Sequence, residues 1–207
     1  MITPAAIRVK LPIISGKEID TDHSESLYGA ISAIAPAIHQ QDQIAISPIF
    51  GERALGKRLR LSRKSYFFVQ CDASQIPMVL PLAGKAVQLR NDHIRFGVPQ
   101  LMMIRPAGTL FCRLFVMRNA IDEEKAVSNL RSKLLDLLGE ESAHLDITPL
   151  RRRIVRIHGK KITGFGIRIA GLTDEQSVIV QSQPLSGRRK YGCGLFVPAG
   201  GKDDARD

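Results

Sequence analysis

The sequence predicts an α+β protein of two tandem ferredoxin-like (βαββαβ, RRM-like) domains. Two observations carry that prediction. Strand-type and helix-type hydrophobic spacing alternate as strand, helix, strand, strand, helix, strand, and the same order then recurs after Pro106. The expected domains are residues 1 to 105 and 106 to 202, the second carrying a Gly-rich loop, with 203 to 207 as a disordered tail. No residue-level repeat links the halves, so the duplication is one of topology.

Residues 7 to 14 (IRVKLPII) read as a strand interrupted at Pro12, which suits a strand end. Asp22 and Glu25 have the spacing of a capping box. From there to about residue 40 Leu27, Ile31, Ile34 and Ile38 repeat at helical spacing, and Pro36 shortens or kinks the helix, leaving His39 in or just beyond its last turn. Residues 43 to 50 and 66 to 71 read as strands, 74 to 83 as a short helix, and 85 to 90, 93 to 97 and 99 to 105 as extended. In the second half 108 to 118 is strongly β. Residues 122 to 138 make the clearest helix: acidic at the start, apolar at Val127, Leu130, Leu134 and Leu137, and closed by Gly139. Paired strands at 153 to 158 and 162 to 170 join at Gly159. A weak helix begins at the Thr173 cap, and a last strand covers 195 to 198.

Composition narrows the function. The 207 residues hold 44% hydrophobic side chains, enough for two cores, and no apolar run approaches the ~20 residues of a membrane span. The N-terminal stretch lacks a signal peptide's layout, so a cytoplasmic protein is expected. Three cysteines, odd in number and far apart, suggest neither a disulfide framework nor a zinc site. The net charge of +10 points to a polyanion, and without a long basic amphipathic helix nucleic acid is favoured over a membrane surface. Aromatics are only 5% and Trp is absent, so the chain is not built to stack many bases.

Three basic clusters carry the charge: residues 53 to 64, 151 to 161 and 188 to 190. In RLRLSRK and RRIVRI basic residues alternate with apolar ones, and on a strand they would share one face. Candidate RNA contacts are Lys57, Arg58, Arg60, Arg63, Lys64, Arg153 and Arg156. To these the segment GRRKYGCGLFVP (187 to 198) adds Arg188, Arg189 and Lys190 between Gly187, Gly192 and Gly194. Glycines bracketing a basic triplet can turn backbone N–H groups and positive charge onto a phosphate. The ordinary readings are a solvated basic face and a Gly-rich hairpin. No metal-ligand spacing is present, so no cofactor is expected, and a nuclease here would use the RNA 2′-OH with side-chain acid and base. His23 and His39, at the two ends of the first helix, suit either proton role, and packing or capping is the alternative for each.

Several segments together resemble a known family: DHSESLYGAIS followed by PAIHQ, PLAGKAVQLRNDHIRFGVPQ, GKKITGFGIRIAGLTDEQS and SGRRKYGCGLFVP. They look like the CRISPR-associated endoribonucleases that process precursor CRISPR RNA, within the RAMP superfamily, and most like the small subgroup from myxan-type systems. The resemblance implies two ferredoxin-like domains holding a repeat stem-loop. It also implies metal-independent cleavage to a 2′,3′-cyclic phosphate (or 3′-phosphate) and a 5′-OH. Possible further partners are other subunits of a CRISPR effector complex, and a non-catalytic RNA-binding subunit of such a complex is the alternative function. The family's catalytic histidine maps best on His39, then on His23. Some members have a Tyr late in the first helix and a Lys soon after it. Here Ser32 and the lysine-free residues 40 to 51 stand there, so Tyr28 substitutes for the Tyr, and the cation falls to a residue elsewhere such as Lys57 or Arg58.

Overall fold

The computed structural model describes residues 6–53, 56–117 and 122–200; the tail expected at 203 to 207 lies outside them. Backbone contacts divide the chain into two compact units, Met1–Met103 with Lys190–Gly192, and Ile104–Arg189 with Cys193–Asp207.

The first unit runs β1 (Ile7–Ser15), β2 (Glu18–Asp20), α1 (Ser24–Ile34), β3 (Ala45–Ile46), β4 (Glu52–Arg53), β5 (Arg58–Arg60), β6 (Tyr66–Cys71), α2 (Ile76–Val79), β7 (Ala86–Leu89), β8 (Asp92–Phe96) and β9 (Gln100–Met102). Its main antiparallel sheet has the order β3-β6-β1-β8-β7, with β9 also on β1. Strands β2, β5 and β4 form a separate small sheet. The strand expected over 43 to 50 shrinks to two residues plus a bridge from Phe50 to Tyr66, because Pro48 has no N–H to continue a ladder. Alternate residues of β1 (Val9, Leu11, Ile13) meet Leu27, Ile31 and Ile38 in the core, together with Phe67, Val69 and Phe96.

Helix α1 is shorter than its periodicity suggests. Ala35, before Pro36, leaves the helical region (φ −129°, ψ 74°), as a pre-proline residue tends to. Its N–H still closes the helix on the Ile31 carbonyl at 2.8 Å. Pro36 then starts a 3-10 turn, Pro36–Gln40, anchored by the fully buried Ile38. The capping box expected at Asp22 and Glu25 does not form: the N-cap is His23, without a side-chain cap. Asp22 instead donates its N–H to Asp20 Oδ1 at 2.7 Å and pairs with Arg90.

The second unit runs β10 (Thr109–Phe115), α3 (Glu123–Leu138), β11 (Asp146–Ile157), β12 (Lys160–Ala170), α4 (Asp174–Ser182) and β13 (Phe196–Pro198). The sheet order β11-β12-β10-β13 repeats the ferredoxin-like plan, with the unit's first strand inside the sheet. Asp122 caps α3 by accepting from Lys125 N, and Gly139 closes it at φ 76°. Thr173 and Gln176 make a reciprocal capping box on α4. Leu130 and Leu134 of α3 and Val180 of α4 pack on Leu110, Phe165 and Ile167 of the sheet. No helix among the described residues is long and apolar enough to cross a membrane.

Candidate active site and RNA interface

Turning the chain at Pro36 brings His39 back beside α1. The Tyr28 hydroxyl lies 2.6 Å from His39 Nδ1, and the two rings stack with centroids 6.0 Å apart. Tyr28 is 8% exposed, held from its other side by Tyr191, whose ring meets it edge-on at 5.0 Å. His39 itself is exposed. Its Nδ1 is therefore engaged by a buried phenol, the arrangement in which a partner on one ring nitrogen orients the other.

The other residue at this histidine comes from the Gly-rich segment. Lys190 Nζ donates to the His39 carbonyl at 2.6 Å, across 151 positions of sequence. Gly192 sits at φ 79°, where a Cβ would lie 2.7 Å from Pro48 Cδ. Both the left-handed backbone and the close approach to Pro48 require glycine there. Gly194 is equally constrained, at φ 71° with a hypothetical Cβ 2.4 Å from Ser186 N. Gly187 is not: its φ lies outside the left-handed region, nothing lies within 4 Å of its would-be Cβ, and Arg188 takes the positive φ (62°) instead. The expectation that Gly187 opens a phosphate-binding turn therefore fails. Tyr191, absent from the sequence-derived candidates, joins the site because its ring packs on the first unit's core.

His23 is placed differently. It is 1% exposed, its Nδ1 donates to the Asp20 carbonyl at 2.8 Å, and its Nε2 accepts from Ile49 N–H at 2.9 Å. Both nitrogens are spent on backbone, which fixes one neutral tautomer and leaves no ring nitrogen for a substrate. As a catalytic candidate His23 is corrected to a structural residue that ties the β2–α1 turn to the chain before β4.

The basic clusters divide in the same way. Arg58 donates to both oxygens of Asp92 (3.1 and 2.6 Å) and lies 3.7 Å from Glu18. Its hydrogen bond holds the Asp92 carboxyl below the usual carboxylate range. Arg58 is thus a partner of β8 and β2, neither a cation for His39 nor a ready phosphate ligand. Lys57, Arg60, Arg63 and Lys64 are exposed, and Arg60 shares an open cleft of about 630 Å³ with Lys17, Asn91 and His93.

In the second unit β11 carries a register shift between Pro149 and Arg152, beyond which it pairs with β12 as far as Ile157 opposite Lys160. His158 and Gly159, both at positive φ, turn this hairpin. Alternation then puts Arg152, Ile154 and Arg156 on one face and Arg153, Val155 and Ile157 on the other. Arg156, opposite Lys161, is exposed as expected. Arg153 is corrected: it shares the face of Val155, which packs on Leu114 and Val116, whereas Arg152 is exposed beside Arg156.

The family described as Cas6 Crispr matches residues 9–201. The chain is 33% identical over 187 residues to the CRISPR-associated endonuclease Cas6 of Myxococcus xanthus (strain DK1622), covering 90% of this chain and 79% of that protein. Among solved structures, a Cas6-related protein from Pyrococcus furiosus superposes with a TM-score of 0.63 at 13% identity, covering 96% of this chain and 99% of that one. Thermus thermophilus Cse3, bound to an RNA representing a pre-cleavage complex, gives 0.53 at 11% identity, covering 95% and 100%. At such identities the likeness shows the fold alone, and that fold is the tandem ferredoxin-like one.

Proposed function

Because the chain belongs to the Cas6 family and is an endonuclease that processes CRISPR RNA, we propose that it cuts repeat RNA without a metal ion, through proton transfer at His39 Nε2. One observation carries this reading: a buried tyrosine hydroxyl holds Nδ1 of an exposed histidine. With Nδ1–H donated to Tyr28 Oη, the lone pair of Nε2 accepts the 2′-OH proton. The 2′-oxygen attacks the adjacent phosphorus, a P–O2′ bond forms and the P–O5′ bond breaks. The 5′-oxygen takes up a proton, leaving a 2′,3′-cyclic phosphate and a 5′-OH. Protonated His39 keeps its bond to Tyr28 Oη and can donate from Nε2, so one residue serves either proton transfer.

Phosphates of the repeat stem-loop would lie on the exposed cations, Lys57, Arg60, Arg63 and Lys64 in the first unit and Arg152, Arg156 and Arg188 in the second, with the half-buried Arg189 beside the last. The two glycines that hold the 190 to 192 segment in place, Gly192 and Gly194, act by fixing backbone rather than by touching RNA. The test is cleavage of the repeat from the organism's own CRISPR array in excess EDTA. The wild type should cut it to a cyclic-phosphate end, and His39→Ala should lose ~10²–10⁴-fold in rate with binding within a few-fold. Cleavage stopped by EDTA, or left intact by His39→Ala, overturns the mechanism.

A further inference from the structure

We propose that the cleft beside the β7–β8 turn of the first unit binds one unpaired nucleotide of the repeat RNA, phosphate and base together; the inference rests on repeat RNA as the substrate and not on the His39 reaction. The cleft, about 630 Å³, lies where β2, β5 and the β7–β8 turn meet. That volume suits one small-molecule-sized group rather than a length of duplex. It is also separate from the cleavage site. Strand β2 leads into the N-terminal end of α1, whereas His39 follows the C-terminal end.

The floor of the cleft is spent on structure. Arg58 grips both oxygens of Asp92, which also accepts from Asp20 N–H at 3.2 Å, and this strut holds β5 against β8. The rim is the reverse. Lys17, Arg60, Asn91 and His93 are exposed, and among the described residues none of these four side chains has a hydrogen bond or an ion pair. Their backbone is nonetheless held. The Lys17 carbonyl accepts from Leu61 N–H at 2.8 Å, and Arg90, the residue before Asn91 in its turn, pairs with Asp20 and Asp22. Uncommitted polar groups on a rigid frame are ready for a ligand at little ordering cost. Their chemistry fits one nucleotide within a chain. Lys17, Arg58 and Arg60 against Glu18 and Asp92 leave the lining one positive charge in excess. This matches a single phosphodiester and not the several charges of a free nucleoside triphosphate. Lys17 and Arg60 suit the phosphate, the Asn91 amide can both donate to and accept from a base edge, and His93 offers a ring beside the apolar Leu61. The rival is a solvated rim that meets no RNA.

The test is affinity for repeat RNA blocked by a 2′-deoxy nucleotide at the cut site, with each unpaired nucleotide replaced in turn by an abasic one. In the wild type, base removal at one position should weaken binding roughly 5- to 100-fold through contacts made in the cleft. In a protein carrying both Asn91→Ala and His93→Ala that penalty should shrink to about twofold or less. Penalties at the remaining positions should keep their wild-type values, which shows that the double variant is folded. Lys17→Ala should flatten the log–log salt slope by about 0.7, the share of one phosphate. A double variant with every abasic penalty unchanged would show that the cleft takes no base, and would overturn the proposal. So would a Lys17→Ala slope equal to wild type, since no phosphate would then lie there. A free nucleoside monophosphate that binds the wild type and not the double variant, while RNA affinity is the same for both, would make this a small-molecule site and overturn the proposal too. A wild type that binds unrelated hairpins as well as the repeat would instead remove repeat RNA as the substrate, and this inference with it.

Discussion

At the residue scale, His39 and His23 differ in what occupies their nitrogens. The pair of bonds on the buried His23 ring joins backbone groups 29 positions apart, from Asp20 to Ile49. Truncating that ring leaves the buried Ile49 N–H without its partner, at about 1–3 kcal/mol, and frees the part-buried Asp20 carbonyl as well. His23→Ala is expected to lower the denaturant midpoint by that order, while its saturated cleavage rate, measured where it stays folded, remains within a few-fold of wild type. Tyr28→Phe should do the reverse. The ring still packs on Tyr191, so stability falls by about 1 kcal/mol or less, but His39 loses the bond that orients Nε2. Cleavage should drop roughly 10–100-fold, in the range of a lost positioning contact within general acid–base catalysis. A Tyr28→Phe enzyme at full rate would mean that the 3-10 turn alone orients the imidazole.

At the scale of elements, the proposed active site depends on two short pieces of irregular backbone, the 3-10 turn over Pro36–Gln40 and the three residues Lys190–Gly192. Gly192→Val tests the second. A β-branched side chain cannot adopt φ 79° without strain, and its Cβ would collide with the ring of Pro48, which has no rotamer to yield. We expect cleavage to fall at least about 10-fold, with melting temperature lowered, whereas Cys193→Ser should retain most activity. Equal behaviour of the two variants would mean that the segment can be held without glycine.

These elements also mark where sequence reading ends. Helix α3 was legible because its cap, its apolar spacing and its terminal glycine agree, and the position of His39 followed from Pro36 alone. Both are local effects. The Asp22 capping box was misleading because the carboxylates nearby are drawn to Arg90, 68 and 70 positions away. Arg58 read as a phosphate ligand because Asp92 is 34 positions distant. Arg153 and Arg156 are three positions apart, so strand alternation along β11 sets them on opposite faces, and it is Arg152 that shares the face of Arg156. Lys190 beside His39 had no local signature at all, because only the tertiary fold joins them.

At the scale of the whole molecule, the net charge of +10 sets how binding responds to salt. Each phosphate neutralised contributes roughly −0.7 to the log–log slope for single-stranded RNA, so about five contacts give a slope near −3.5. Not every basic residue should count equally toward that slope. Arg152 and Arg156 share one face of the β11–β12 hairpin with Lys161 opposite, and no carboxylate among the described residues is placed to pair with Arg152. Like charges crowded on one strand face repel unless an anion lies over them. Changing Arg152 and Arg156 together to Ala should therefore flatten the slope by about 1 to 1.5, and weaken binding by a similar factor whatever the loop sequence of the RNA. The Arg153→Ala change, on the face toward Val155, should leave the slope within about 0.3 of wild type. It should instead cost stability, because the half-buried arginine stem shares the face of Val155, which packs on Leu114 and Val116. Filter binding across a salt series with all three proteins decides this. If the slope follows Arg153 rather than the Arg152 and Arg156 pair, the opposite face of the hairpin carries the RNA, and the assignment of faces from strand register is wrong.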